Sequence, residues 1–142
     1  VRDALVGIRY DAGSDYAVEC VVGFSAVKDP KGEGWAGIVT RINPAGGDRY
    51  SYELLPAKKV IRIEKITAGA KKQVLAEAGV NTLNLGETYH LKAEVAKNDL
   101  TMTVNGQPIL KTTEIGLIAG TAGLEARGCT AYFDDITITR VK

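Results

Sequence analysis

The sequence predicts an all-β fold: one antiparallel jelly-roll sandwich of two sheets, without substantial helix. Short segments in which apolar and polar residues alternate recur about a dozen times along the chain. Turn-forming Gly, Asn, Asp and Pro residues separate them, and no long stretch has the period of an amphipathic helix. Short strands with this spacing are typical of antiparallel sandwiches and barrels.

The longest alternating runs lie near the two ends of the chain. In the run from Tyr132 to Val141, Ile136 and Ile138 alternate with threonines, which is the period of a half-buried strand. The run Asp15–Phe24 alternates in the same way. A closing strand without a partner would leave an open hydrogen-bonding edge. We therefore predict that these two runs pair and join the ends of a single domain.

The other elements are predicted in order from the same alternation. The strands cover Ala4–Tyr10, Asp15–Ala26, Trp35–Ile42, Asp48–Leu55, Lys59–Ile66, Gln73–Glu77, Thr88–Lys97, Leu100–Val104, Pro108–Thr112, Gly123–Ala126 and Tyr132–Val141. Turns are predicted at residues 11–14, 43–47 and 67–70, and Asn105-Gly106 indicates a type I′ hairpin. Lys71–Ala78 contains good helix formers, but it is short and uncapped, so we interpret it as mostly strand.

Chain length and net charge limit the number of domains and the classes of partner that this chain can have. The 142 residues suit one domain, and the formal net charge is +1. This near-neutral charge argues against nucleic acid as the main partner, because phosphate binding requires a concentrated basic surface. No apolar run approaches the roughly 20 residues that cross a bilayer, which argues against membrane insertion. The chain begins at Val1 without an initiator Met, so we expect a trimmed N-terminus or a module of a longer chain.

Two interpretations are open for Cys20 and Cys129, the only cysteines in the sequence. In the first, both are buried thiols that pack as small apolar residues. In the second, a disulfide joins the early long strand to the last strand. The loop closed by that bond would be long, which would make the bond stabilising.

A set of motifs occurs in a defined order along the chain. They are Asp15-Tyr16-Ala17-Val18-Glu19, Gly37-Ile38-Val39-Thr40-Arg41, Tyr50-Ser51-Tyr52, Ile61-Arg62-Ile63-Glu64-Lys65, Tyr89-His90-Leu91-Lys92-Ala93-Glu94-Val95, Val104-Asn105-Gly106, Gly120–Leu124 and Phe133-Asp134-Asp135-Ile136. In this order they resemble the concanavalin A-like, laminin G-like jelly rolls, many of which are accessory modules of bacterial secreted carbohydrate-active proteins. Members of that superfamily usually carry one or two further strands before the segment that matches Ala4. The resemblance implies the fold, but it implies only a broad range of functions.

The scattered acidic residues and the single histidine favour a binding protein over an enzyme. Glycosidases place two carboxylates across one bond, and the jelly-roll glucanases that this chain resembles cluster their acids on one strand. No such cluster is present, and His90 is the only histidine. His90 lies on the outward face of a predicted strand, where we expect it to be solvated. A hydrolase or lyase whose acids converge from separate strands is one alternative, and a laminin G-like adhesion module is another.

A shallow carbohydrate site is predicted to use Trp35, Arg41, Tyr50, Glu64 and Arg127. Aromatic rings stack on the apolar faces of sugars, and charged groups hydrogen-bond the sugar hydroxyls. The alternatives are core packing for the two aromatic residues and a solvent-facing ion pair with Arg62 for Glu64. The leading function is therefore non-catalytic binding of a glycan or polysaccharide by a secreted or cell-surface module. Other domains of the same parent chain are further expected partners.

A structural calcium ion is the one cofactor that the sequence suggests, and Asp134 is a candidate ligand for it. Calcium in such modules is held by carboxylates and carbonyls at strand ends. Asp11 or Asp15 would lie close to Asp134 if the terminal strands pair. The alternative is that one of the adjacent acids, Asp134 or Asp135, caps a turn or pairs with Arg140.

Overall fold

The computed structural model describes residues 4–8, 13–43, 47–67 and 71–141. The strands within this part are β1 (Ala4–Gly7), β2 (Tyr16–Val27), β3 (Trp35–Ile42), β4 (Arg49–Leu55), β5 (Val60–Thr67), β6 (Lys71–Gly79), β7 (Thr88–Ala96), β8 (Asp99–Val104), β9 (Gln107–Thr113), β10 (Thr121–Arg127) and β11 (Cys129–Arg140). The end of the strand predicted from Ala4 and much of the turns predicted at 11–14, 43–47 and 67–70 lie outside the described residues. Across the described ranges, no helix is long and apolar enough to span a membrane.

The strands form two antiparallel sheets, which confirms the predicted all-β jelly-roll sandwich. The larger sheet has six strands in the order β1-β10-β3-β4-β5-β6. The smaller sheet has five, in the order β11-β2-β7-β8-β9. Because β10 lies between β1 and β3, side chains that are distant in the sequence come together on the larger sheet.

Pairing between the early long strand and the last strand is confirmed. β11 runs antiparallel to β2, with Arg140 opposite Tyr16. A register shift begins after Asp134, and Asp135 there has a positive φ of 53°. Ile136 lies in this irregular part and is 45% exposed, so the predicted half-buried alternation is not kept there. Since β11 is an edge strand, an irregular stretch of this kind limits pairing with other chains.

Two local predictions are also confirmed. Asn105 and Gly106 have φ angles of 53° and 84°, as the type I′ turn between β8 and β9 requires. The segment rich in helix formers is strand β6, which pairs with β5 along its length. Pairing in the sheet therefore outweighs the intrinsic helix propensity of this segment.

The core lies between the sheets and follows the alternation along the strands. Tyr16, Val18, Cys20, Val22 and Phe24 of β2 are each at most 1% exposed. They belong to one cluster with Ala36, Ile38, Tyr50, Tyr52, Leu54, Ile61, Ile63, Leu124 and Ala126 of the larger sheet. Burial of this apolar surface stabilises the sandwich by about 25 cal/mol per Å². Because successive side chains of a strand point to opposite faces, the alternate residues of the larger sheet lie on its outer face.

The second interpretation of Cys20 and Cys129, a disulfide, is wrong, because both cysteines are free and buried. Cys129 lies opposite Val27 on β2, whereas Cys20 lies about seven residues from Val27 along the same strand. At about 3.3 Å per residue, roughly 23 Å of strand separates the two positions, far beyond the reach of a disulfide. The thiol of Cys129 instead donates a hydrogen bond to the Trp35 carbonyl oxygen at 3.1 Å. The first interpretation, two buried thiols, describes both residues.

Candidate functional site

Charged residues are concentrated on the outer face of the larger sheet, the face turned away from the core. Strand pairing places Glu125 opposite Gly37, Gly37 opposite Glu53, and Glu53 opposite Arg62. One polar row thus crosses four neighbouring strands. Gly37 has no side chain to separate its two acidic neighbours. The outer face is therefore built for interaction between charges from different strands.

Glu125 is the centre of one group of charges on the outer face. Its carboxylate accepts hydrogen bonds from Arg49 Nε and Nη2, each at 2.7 Å. Arg127 Nε also donates to Glu125 Oε2, at 2.6 Å. The Glu125 side chain is fully buried, so these charge-assisted bonds compensate for the loss of its hydration.

Glu53 is the centre of a second group. Its Oε2 atom accepts a hydrogen bond from Ser51 Oγ at 2.6 Å, and Arg62 Nη1 lies 3.9 Å from its Oε1 atom. Burial, together with a hydrogen bond and charge repulsion from Glu64, holds the pKa of Glu53 well above its usual range. These effects outweigh Arg62, which acts in the opposite direction. Glu53 and Glu64 therefore form a carboxyl pair in which Glu53 retains a proton above the usual pKa of glutamate.

A recess of about 430 Å³ opens beside these groups, at the end of the sheet where β3 begins. We call it the β3 recess. It is lined by Lys28, Asp29, Pro30, Glu33, Trp35, Lys72, Arg127 and Gly128. The recess thus combines an aromatic ring with cationic and anionic side chains, and residues 28–34 form its border.

Hydrogen bonds hold this border loop in place. The backbone N–H groups of Lys28 and Asp29 donate to the Gly128 carbonyl oxygen at 3.0 and 3.1 Å. Asp29 Oδ1 accepts a hydrogen bond from the Lys31 N–H at 2.9 Å. Gly128 has a φ of 63°, and a Cβ atom there would lie 3.0 Å from the Cβ of Asp29. Glycine therefore permits both the turn and the close approach of the loop.

Glu33 ties the other end of the loop to the sheet. Lys58 Nζ lies 2.6 Å from Glu33 Oε1, and Arg62 Nη1 lies 3.8 Å from Glu33 Oε2. Arg62 also binds Glu77 of β6, with 2.7 Å between Nε and Oε2. The predicted solvent-facing pair of Arg62 with Glu64 is therefore replaced by contacts of Arg62 to other acids.

Trp35 is one of the residues that line the β3 recess. The residue is only 2% exposed, and it belongs to a small buried cluster that includes Leu55. Its Nε1 atom is buried and has no hydrogen-bond partner among the described residues. Trp35 combines the two sequence interpretations, since it is packed against the sheet and also borders the recess. With so little exposed surface, Trp35 offers a ligand only a small contact.

Arg41 lies away from the recess and binds the backbone. Its guanidinium donates to the carbonyl oxygens of Ser14, Lys97 and Leu117 at 2.8 to 3.1 Å, and to Asp15 Oδ1 at 3.2 Å. These bonds use all the N–H groups of the side chain. Arg41 joins the start of β2 to two loops and has no donor left for a ligand.

Tyr50 is a core residue. It is fully buried between the sheets, and its hydroxyl oxygen accepts a hydrogen bond from the Leu117 N–H at 3.0 Å. Of the predicted set, the structure brings Trp35 and Arg127 together at the recess. Glu64 is on the same sheet face but is only 4% exposed.

Sequence reasoning missed Lys28, Asp29 and Lys72 as residues of the recess. A signal existed for the first two, because they belong to the polar loop that leads directly to Trp35. Lys72 had no such signal, because it reaches the recess through the position of β6 in the sheet. Glu125 was also missed, although an acid within an otherwise apolar strand indicates a buried ion pair.

Asp134 lies on the exposed edge strand β11, opposite Val21. Its Oδ1 atom accepts a hydrogen bond from the Asp135 N–H at 2.8 Å. Asp15 lies beyond the far end of β2 and contacts Arg41, while Asp11 is outside the described residues. Within the described ranges, no group of three or more His, Cys, Asp or Glu residues could hold a metal ion. Calcium binding at Asp134 stays a prediction without a ligand set.

No protein-family model matches the sequence, and no curated protein matches it. Solved structures do match. The carbohydrate-binding module CBM66 from Bacillus subtilis has a TM-score of 0.80 and 20% identity, over 89% of this chain and 76% of that one. A galectin from Caenorhabditis elegans has a TM-score of 0.69 and 11% identity, over 99% of this chain and 92% of the galectin.

A fructosyltransferase from A. japonicus also matches, with a TM-score of 0.73 and 10% identity. The match covers 98% of this chain but only 24% of the enzyme. At these identities the comparisons show the fold alone. This chain has the jelly-roll sandwich fold of lectin and carbohydrate-binding-module structures.

Proposed function

We propose that this chain is a non-catalytic carbohydrate-binding module of a secreted or cell-surface protein, and that it binds its glycan in the β3 recess. The observation that carries the proposal is the recess itself, an open depression lined by hydrogen-bonding charged groups and bordered by Trp35. Two of the similar structures are a carbohydrate-binding module and a galectin, which supports a carbohydrate as the class of ligand.

The chemistry of the border suits sugar hydroxyl groups. A hydroxyl both donates and accepts, so it can bind an ammonium group and a carboxylate at the same time. Lys28, Lys72 and Arg127 supply donors, and Asp29 supplies an acceptor. The loop bonds to Gly128 fix Asp29 before a ligand arrives, which lowers the entropy cost of binding. Trp35 borders the recess with a small exposed surface, so it adds a minor apolar contact to the C–H groups of the sugar ring.

Glu53 and Glu64 support binding over hydrolysis. They are the pair of acids that converges from separate strands, as the hydrolase alternative requires. Glycosidases leave about 5 Å or more between their two carboxyl groups, because the scissile bond lies between them. Glu53 and Glu64 are instead almost fully buried, with exposed fractions of 0% and 4%. A glycosidic bond cannot enter between carboxyl groups that have almost no exposed surface.

The test is calorimetric titration of the protein with a panel of oligosaccharides. We expect Asp29→Ala and Lys72→Ala each to weaken saturable binding by roughly 10- to 100-fold, because a hydrogen bond to a charged group contributes about 1.5–3 kcal/mol. Lys111→Ala, an exposed lysine on the smaller sheet, is the matched control and should bind as the unaltered protein does.

Three outcomes would count against the proposal. Absence of binding to every saccharide, together with tight binding to a protein, would favour the laminin G-like adhesion module. Turnover of a polysaccharide would favour the hydrolase or lyase. Binding that is equally insensitive to all three substitutions would place the glycan elsewhere on the molecule.

A further inference from the structure

In the β3 recess, the acids already form ion pairs or accept hydrogen bonds, whereas the lysines form no ion pair within the described part of the chain. Of the acids, Glu33 is bound to Lys58 at 2.6 Å, and Asp29 Oδ1 accepts the Lys31 N–H at 2.9 Å. Lys28 and Lys72 form no ion pair with any residue that the structure describes. The side chains of the recess that remain available to a ligand are therefore mainly cationic.

Neighbouring ion pairs do not remove this excess of donors. Arg127, the third cation of the lining, contacts Glu125, but Arg49 already binds both oxygens of that carboxylate. Cations from three separate segments thus border one recess: the loop after β2, strand β6 and the end of β10.

The excess of cationic side chains is confined to the recess and does not extend to the whole chain. The whole chain carries a formal charge of only +1, so a general attraction to polyanions has no basis in its overall charge. At physiological salt the Debye length is about 8 Å, so the two lysines act mainly on a charge bound within the recess. A negatively charged group held there would satisfy donors that a neutral sugar leaves unpaired.

We propose that the ligand of the β3 recess is an acidic saccharide, one whose sugar units carry a carboxylate or a sulfate ester placed between Lys28 and Lys72. This inference rests on the proposed function, because it assumes that the recess binds sugar. In this arrangement Asp29 accepts hydrogen bonds from ligand hydroxyls and faces away from the anionic substituent. The two lysines discriminate acidic from neutral units.

The test compares each acidic oligosaccharide with its own neutral form. The probes are a galacturonate oligosaccharide with its carboxyl-reduced form, and a sulfated galactan oligosaccharide with its desulfated form. We expect at least one acidic probe to bind 10-fold or more tightly than its neutral counterpart. That preference should fall by at least threefold in Lys28→Gln and in Lys72→Gln. Lys72→Arg, which keeps the charge, and Lys111→Gln, a distant lysine, should retain it.

The outcomes separate this inference from the proposed function. Equal binding of the acidic and neutral forms would overturn the acidic preference and leave carbohydrate binding intact. Failure of every probe and of the neutral panel would overturn both. An equal loss in Lys111→Gln and Lys72→Gln would show that the attraction is not located in the recess. Thermal denaturation of each variant verifies that all are folded at the assay temperature.

Discussion

Arg49 and Glu125 form a bidentate ion pair between strands that are not neighbours. Arg49 Nε and Nη2 each lie 2.7 Å from a carboxylate oxygen of Glu125, although β3 separates β4 from β10 in the sheet. Gly37, which has no side chain, lies opposite Glu125 on the intervening strand. The pair therefore joins β4 to β10 across β3, on the face that carries the candidate site.

Removal of Glu125 should destabilise the fold strongly. Glu125→Ala leaves the guanidinium groups of Arg49 and Arg127 without their shared carboxylate, and breaking a buried pair in this way costs about 3–5 kcal/mol. Urea denaturation gives the change in the free energy of unfolding. The control is Lys58→Ala, which removes the exposed pair with Glu33 and should cost no more than about 1 kcal/mol. Equal losses in the two variants would contradict this account of Glu125.

Arg41 is predicted to act in folding and not in ligand binding. Arg41→Ala leaves the carbonyl oxygens of Ser14, Lys97 and Leu117 without their charged donor, so we expect a loss of at least about 3 kcal/mol. Chemical denaturation measures the loss, with Lys111→Ala as a surface control that should change stability by at most about 0.5 kcal/mol. A stable Arg41→Ala protein that has lost only glycan binding would return Arg41 to the site.

Glu53 should make stability depend on pH. Its pKa is raised in the folded protein by burial and by Glu64, so the folded state holds the proton more tightly than the unfolded chain does. The stability that this proton contributes is complete below the unfolded pKa of about 4.3 and is lost as the pH rises through the folded pKa. The loss is at most about 1.4 kcal/mol per pH unit.

Glu53→Gln tests this pH dependence. The amide resembles the protonated carboxyl group, so the variant should lose less stability than the unaltered protein as the pH rises from about 4.5, just above the unfolded pKa of about 4.3, to neutrality. Denaturant titrations across this range measure the difference. Parallel stability curves for the two proteins would mean that the Glu53 carboxyl group is not protonated preferentially in the folded state.

Cysteine reactivity provides a test of the core. Burial raises the pKa of the Cys20 thiol to about 12, so very little thiolate is present at pH 8 in the folded protein. We expect a thiol reagent to modify Cys20 slowly in native buffer. In denaturant without reductant, both Cys20 and Cys129 should react, because they are not joined. Fewer than two reactive thiols in the denatured protein would restore the disulfide interpretation.

Local patterns in the sequence were sufficient for the strands. The alternation in β2 predicted which of its side chains enter the core, because a strand exposes alternate residues to opposite faces whatever its partners. Asn105-Gly106 predicted its turn for a similarly local reason, since both residues tolerate positive φ. The pairing of β11 with β2 was predictable too, because two long strands at the chain ends each required a partner.

The contents of the site depended on tertiary structure. Trp35, Tyr50 and Arg41 are equally plausible in a core or at a binding site when only their neighbours in the sequence are known. Insertion of β10 between β1 and β3 brings Glu125 to Arg49, 76 residues away in the sequence, and the sheet position of β6 brings Lys72 to the recess. Contacts of this kind depend on which strands become neighbours and in which register, and no local pattern of hydrophobicity or turn residues carries that information.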